Sequence, residues 1–110
     1  MSVKQQPRYN QPVSTRFEWD DEKNRANQRK HGISFEEAIA IFNDPHLMTV
    51  PDRMDGFEQR WKSIGVVRGV LLILAIHTVR EESGDEVIRI ISARYAERQD
   101  RRMYEEGEDR

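Results

Sequence analysis

The sequence predicts a single α+β domain: two N-terminal helices, a four- to five-stranded, mainly antiparallel sheet and a C-terminal helix. Three observations carry this reading. A length of 110 residues fits one domain. Helix caps and 3.6-residue spacing run as far as Pro45, after which short β-branched runs and turn signals take over, so helices and strands are segregated. The apolar residues are also concentrated, 16 of 40 lying in Ile64–Val79 and Val87–Ala93, so the 35% of charged residues surround a core instead of dissolving one.

Taken in order, residues 1–15 hold Gln5, Gln6, Pro7, Gln11 and Pro12 with little apolar periodicity, and read as a flexible arm. The domain is expected over residues 16–106, with an acidic tail at 107–110. Phe17-Glu18-Trp19 alternates as a short strand. Asp20 or Asp21 supplies an N-cap, Asp21 and Glu22 complement the positive helix end, and Gly32 is the stop after Lys30. Ser34 and Glu37 form a capping-box pattern, followed by Phe35, Ala38, Ile39 and Phe42 on one helical stripe that Asn43-Asp44-Pro45 ends.

The strands follow. Leu47–Val50 reads as a short strand ended by Pro51. Phe57–Val67 reads as a strand with Phe57 and Trp61 on one side and Glu58, Arg60 and Lys62 on the other. A tight turn at Arg68-Gly69 leads into Val70–Ile76, apolar on both faces and therefore central. Glu81–Asp85 reads as a loop, Val87–Arg94 as the next strand, and Glu97–Glu106 as the charged final helix.

Several function classes drop out. Without cysteine there is no disulfide framework, thiolate metal site or thiol nucleophile. No apolar stretch approaches the length that spans a bilayer, and no hydrophobic signal core is present, so a cytoplasmic protein is expected. The net charge of −2 hides a pattern: residues 1–32 and 61–104 carry more bases than acids, while 33–60 and the last six residues carry the acid excess. Two basic segments matter only if the fold joins them.

Histidine and arginine are the residues that can carry chemistry. His31, after Lys30 at a helix end, is either a partner of the negative helix terminus or a general acid or base beside a phosphate-binding cation. His77 lies in the apolar strand and His46 in a loop. No two histidines have metal-ligand spacing, so a metal enzyme is disfavoured and no cofactor is implied. Arg60, Arg80, Arg89 and Arg94 lie on or beside core strands, where a cation must find a partner or reach solvent. Guanidinium groups suit phosphodiesters because they stay charged and bind two oxygens at once. Tyr95 and Tyr104 fit core or boundary packing better than base stacking. If Arg68-Gly69 is a two-residue turn, Val67 pairs with Val70 and Arg60 with His77. Arg60 and His77 then share a face, opposite Thr78, Arg80 and Trp61, and a slip of one residue reverses the relation.

Four segments in order resemble the BrnT-type toxins of bacterial type II toxin–antitoxin systems. They are Phe17-Glu18-Trp19-Asp20 running on to Lys23 and Asn27, Lys30-His31-Gly32-Ile33-Ser34-Phe35-Glu36-Glu37-Ala38, Glu58-Gln59-Arg60, and Arg89-Ile90-Ile91-Ser92-Ala93-Arg94-Tyr95-Ala96 followed by Glu97, Arg98 and Tyr104. The resemblance covers roughly residues 16–105 and is strongest at the Lys-His-Gly and Arg-Ile-Ile-Ser-Ala-Arg blocks.

This resemblance implies a RelE-like ribonuclease fold, RNA cleavage that arrests translation, and neutralisation by a BrnA-type ribbon-helix-helix antitoxin, the complex binding operator DNA. Carried over by motif, Lys30, His31, Arg60, Arg80 and Arg94 form the catalytic set, with Glu58, Thr78, Ser92 and Tyr104 as secondary substrate contacts. Such residues suit cleavage without metal: the RNA 2′-hydroxyl is the nucleophile, and the protein supplies proton transfer and cations for the charge on phosphorus. The rival reading is a non-catalytic nucleic-acid- or antitoxin-binding module of the same fold.

Overall fold

In the computed structural model, residues 14–108 are described. All but Ser14 and Thr15 of the expected arm, and Asp109 and Arg110 of the expected tail, lie outside the described residues. Nine elements follow in order: β1 (Thr15–Glu18), α1 (Asp21–His31), α2 (Phe35–Ala38) continued by a 3-10 turn (Ile39–Asn43), β2 (Met48–Asp55), β3 (Glu58–Val67), β4 (Leu71–Glu82), β5 (Asp85–Tyr95) and α3 (Arg98–Glu108).

β4 organises the sheet. Leu72, Ile73, Leu74 and Ala75 are consecutive and all buried, so β4 is covered on both faces, as its continuous apolar run predicts. The strand order is β1-β5-β4-β3-β2, with β1 parallel to β5 and the other pairings antiparallel. On one face, α2 and the 3-10 turn seal a cluster of Ile33, Phe35, Ala38, Ile41, Ile73, Ala75, Ile90 and Ala93. On the other face, α3 covers only part of the sheet, with Tyr104 and Met103 over Ile64, Leu72 and Leu74. No described helix is long and apolar enough to cross a membrane.

The caps form as the sequence predicts. Asp20 accepts from the Lys23 N–H, Gly32 stops α1 at φ 75°, and Ser34 and Glu37 complete a reciprocal capping box. Asn24 and Asn27, polar but buried, lock α1 in place. Asn24 accepts from the Phe35 N–H, while Asn27 both donates to the Ala93 carbonyl (2.8 Å) and accepts from its N–H (3.1 Å). Strand N–H and C=O groups point sideways in the sheet plane, so Asn27 satisfies the edge of β5 where β1 has ended. α1 therefore continues along that edge.

Several expectations are corrected. The second helix keeps its α geometry only through Ala38. The tighter 3-10 period then swings Ile41 into full burial and leaves Ile39 and Phe42 partly buried. β2 does not end at Pro51, because an edge strand tolerates a missing N–H on its open side; the ladder slips between Pro51 and Met54 instead. Phe57 lies in the turn before β3, not in the strand. Ser83 and Gly84 both have positive φ and close a two-residue turn, so β4 and β5 run on through most of the expected loop.

The β3–β4 hairpin is the correction with functional weight. Its loop has three residues, Arg68–Val70, with Arg68 at φ 58° and Gly69 at 71°, and Val67 pairs with Leu71, not Val70. Trp61, not Arg60, faces His77. The one-residue shift moves Arg60 to the face of Thr78 and Arg80 and leaves His77 with Trp61 under the helices.

Candidate nucleic-acid interface

The register fixes which strand residues share the face that α3 covers only in part. From β1 come Arg16 and Glu18, from β5 Asp85, Val87, Arg89, Ser92 and Arg94, from β4 Ile76, Thr78, Arg80 and Glu82, and from β3 Glu58, Arg60 and Lys62. A bulge in β5 opposite Ile76–His77 keeps Arg89 and Arg94 on one face although they are five residues apart. Four strands thus each bring a cation to one surface, and the basic residues of separate sequence segments meet.

Each arginine is held by a carboxylate. Arg94 Nη1 donates to Asp100 Oδ2 at 2.8 Å, at the start of α3. Arg60 Nη2 donates to Asp55 Oδ2 at 2.7 Å, and its buried Nε has no partner among the described residues. Arg80 and Arg89 converge on Glu18. Hydrogen bonds from Arg80, with desolvation opposing and Arg89 adding, hold the Glu18 pKa down at about 2. Thr78 is buried between the arginines' strands and Ser92 is half-buried, while Glu58 is exposed at the β2–β3 hairpin.

Arg80 and Arg94 are too far apart to hold one phosphate. Arg94 pairs with Leu74, six residues before Arg80 on β4, which is about 20 Å of strand. Arg60 lies between these levels. Lys30 and His31 occupy the last turn of α1, beyond the Asn27–Ala93 contact, at the Arg94 end of β5. Their side chains make no hydrogen bond or ion pair within the described residues. Tyr104 is buried at 5% exposure and donates its hydroxyl to Asp44 at 2.6 Å, so its ring packs in the core, as its apolar neighbours favour.

One contributor and one pairing escape sequence reading. Asp100 is 1% exposed, accepts from both Arg94 and the Glu97 N–H, and so anchors Arg94 while capping α3. Its signal is the three-residue spacing from Glu97, which is that of a cap. Arg89 was legible as a cation in an apolar strand, but its shared use of Glu18 depends on β1 pairing in parallel with β5.

His77, by contrast, belongs to the core. Its Nε2 lies 2.7 Å from Ser63 Oγ, which lies 2.7 Å from Thr49 Oγ1, and the ring meets Phe42 edge-on. Among the described residues no group of three His, Cys, Asp or Glu side chains is placed to hold a metal ion. An apolar cleft of about 300 Å³, lined by Ile33, Ala40, Val67, Leu71 and Tyr95, opens at the β3–β4 hairpin, away from Arg80.

A small α+β protein with an arginine-rich sheet face, its cations paired with carboxylates, is the class these features define. A family profile described as "Ribonuclease toxin, BrnT, of type II toxin-antitoxin system" matches residues 19–100. The chain belongs to this family of ribonuclease toxins. The 1.1 Å crystal structure of the Brucella abortus ribonuclease toxin BrnT shares the fold, with a TM-score of 0.58 at 23% identity over 76% of this chain and 99% of that one. No curated protein sequence matches the chain.

Proposed function

We propose that the chain is an endoribonuclease that needs no metal and cleaves RNA through the substrate's own 2′-hydroxyl. The observation that supports this most is the common face of Arg60, Arg80 and Arg94 with Lys62 and Arg89, drawn from three strands. Guanidinium groups so spaced follow a phosphodiester backbone over more than one phosphate. Arg94 stabilises the charge that develops on phosphorus, and Arg60 and Arg80, two residues apart in level on neighbouring strands, hold a neighbouring phosphate. Lys30 and His31, at the Arg94 end, carry phosphate binding and proton transfer respectively. Glu58 and Ser92 border the path of the RNA.

Cleavage of this kind arrests translation. In the same reading, a BrnA-type ribbon-helix-helix antitoxin covers the toxin, and the complex binds operator DNA. The alternative, a binding module without turnover, keeps the same face.

The deciding experiment incubates purified protein with single-stranded RNA in EDTA and reads the product ends. The nuclease reading expects cut RNA with 2′,3′-cyclic phosphate ends and severe loss of cleavage in folded His31→Ala and Arg94→Ala. Intact RNA favours the binding module, and unimpaired cleavage by both variants overturns the residue assignment.

A further inference from the structure

Glu18 ends β1 directly opposite Arg89 of β5, and both its carboxylate oxygens are engaged. Arg80 Nη1 donates to Oε2 at 2.7 Å and Arg80 Nη2 to Oε1 at 3.1 Å, a two-pronged contact, while Arg89 Nη1 donates to Oε2 at 3.1 Å. Outside this clasp, Arg80 Nη2 also reaches Glu82 at 3.3 Å, and Glu82 in turn takes Arg16 at 2.8 Å. Arg16 also lies 3.5 Å from Asp85, so Arg80, Arg89 and Arg16 are matched by Glu18, Glu82 and Asp85, and the two guanidinium groups that share Glu18 sit in a charge-balanced cluster. The site is open to solvent, with Arg80 and Arg89 each 43% exposed and Glu18 32% exposed.

A phosphodiester presents the same pair of anionic oxygens to a guanidinium fork that a carboxylate does. Exposed ion pairs of this kind contribute little to folding, so a competing anion displaces the carboxylate without dismantling the sheet. Glu18 stands at a strand terminus, where its side chain can turn away while Arg80 and Arg89 stay anchored in β4 and β5.

We propose that Arg80 and Arg89 form one phosphate-binding site of the RNA face, and that Glu18 is its internal occupant, displaced when an RNA phosphate arrives. This rests on the RNA-cleaving reading above and adds Arg89 as a substrate-binding residue and Glu18 as a built-in competitor. It also explains how a chain with a formal net charge of −2 keeps a polyanion site: the cations are prepositioned and masked until a better-matched anion binds.

Binding is measured by fluorescence anisotropy with a 2′-O-methyl RNA oligonucleotide, which lacks the nucleophile and reports affinity apart from cleavage. Glu18→Gln is expected to bind about fivefold more tightly than wild type, and adding Arg89→Ala to it removes the gain. Equal or weaker binding by a folded Glu18→Gln overturns the proposal, as does a gain that survives loss of Arg89. Should Glu18→Gln not fold, inorganic phosphate is titrated into wild type while the Nε–H signals of Arg80 and Arg89 are followed by NMR. Saturable shifts at these two and not at Arg98 support the site, and uniform shifts overturn it. Failure of wild type to cut RNA would sink the nuclease reading instead, and the phosphate titration still decides the clasp.

Discussion

Asp100 accepts a 2.8 Å hydrogen bond from Arg94 while only 1% of its side chain is exposed, against 34% for Arg94. One end of the pair is core and the other is surface, so the start of α3 sets where a cation of this sheet face points. Burial alone raises the Asp100 pKa, but the Glu97 N–H and then Arg94 override it and leave it below the ordinary range. The anion is therefore retained, and removing either partner has unequal consequences. Asp100→Ala is expected to cost about 2 kcal/mol by losing two charge-assisted bonds, and to weaken RNA cleavage by freeing Arg94. Arg94→Lys keeps the cation beside Asp100, so it should lose less stability than Arg94→Ala while still losing the two-pronged grip on phosphate. Denaturant melts beside cleavage rates separate the two effects.

Tyr104 and Asp44 form a second link between α3 and the sheet. Asp44 Oδ2 accepts from the Tyr104 hydroxyl at 2.6 Å and from the Val66 N–H at 2.8 Å, while its Oδ1 accepts from the His46 N–H. Burial pushes the Asp44 carboxyl upward, yet these bonds, Tyr104's first, hold it below its usual range. Tyr104→Phe is expected to lower stability by about 1.5 kcal/mol, the net worth of a hydrogen bond to a charged acceptor, with RNA affinity unchanged. A drop in affinity with no change in melting temperature would restore Tyr104 to the RNA surface.

How much was legible depended on whether the signal was local. Ser34 and Glu37 cap a helix through bonds spanning three residues, and they read correctly from spacing alone. The two-faced burial of β4 was equally plain in the run Val70–Ile76, although Val70 falls in the turn, Leu71 is exposed and the buried stretch is Leu72–Ala75. Arg60 was not, because its face is set by the number of residues in a turn, and Arg68 adopts positive φ without the glycine signature that marks such turns. The ends of α2 were hidden for a related reason: the apolar stripe fits an α period, while packing of Ile41 on β3 draws the chain into a 3-10 turn. The cationic residues of the site were mostly visible as types. Their carboxylate partners, Glu18, Asp55 and Asp100, come from β1, β2 and α3, and only the folded sheet pairs them.

Gly65 marks a close approach of the 3-10 turn to the sheet. A Cβ there would stand 2.8 Å from Ile41 Cβ and 3.0 Å from the Ile41 carbonyl oxygen, with Leu47 Cδ1 at 3.2 Å. Backbone cannot yield as a flexible side chain does, so Gly65→Ala is expected to destabilise by about 2 kcal/mol through overpacking. Ile41→Val, which shortens the opposing side chain but keeps its branched Cβ, should cost about 1 kcal/mol alone and rescue Gly65→Ala little. A chemical-denaturation double-mutant cycle checks this; full rescue would mean that the Ile41 side-chain tip, and not its Cβ and backbone, makes the contact.

His77 is expected to give the fold a pH dependence of its own. It is 2% exposed, its Nε2 is 2.7 Å from Ser63 Oγ, and Phe42 packs edge-on to its ring. Desolvation lowers its pKa, outweighing the opposing contact with the Thr78 carbonyl. The unfolded chain takes up this proton near pH 6.5, while the folded chain resists it until lower pH. The unfolded state therefore binds more protons in that interval, and the stability His77 contributes is full above about pH 6.5 and lost as pH falls toward its folded value. The loss is bounded by about 1.4 kcal/mol per pH unit for one proton. Urea denaturation from pH 7.5 to 5 is expected to show this decline in wild type and a shallower one in His77→Gln, which cannot titrate. The carboxylates whose pKa values are lowered, Glu18 among them, also lose stability in acid, but in a lower range. Parallel pH profiles for the two proteins between pH 7.5 and 5 would show that burial of His77 is not the source of the dependence.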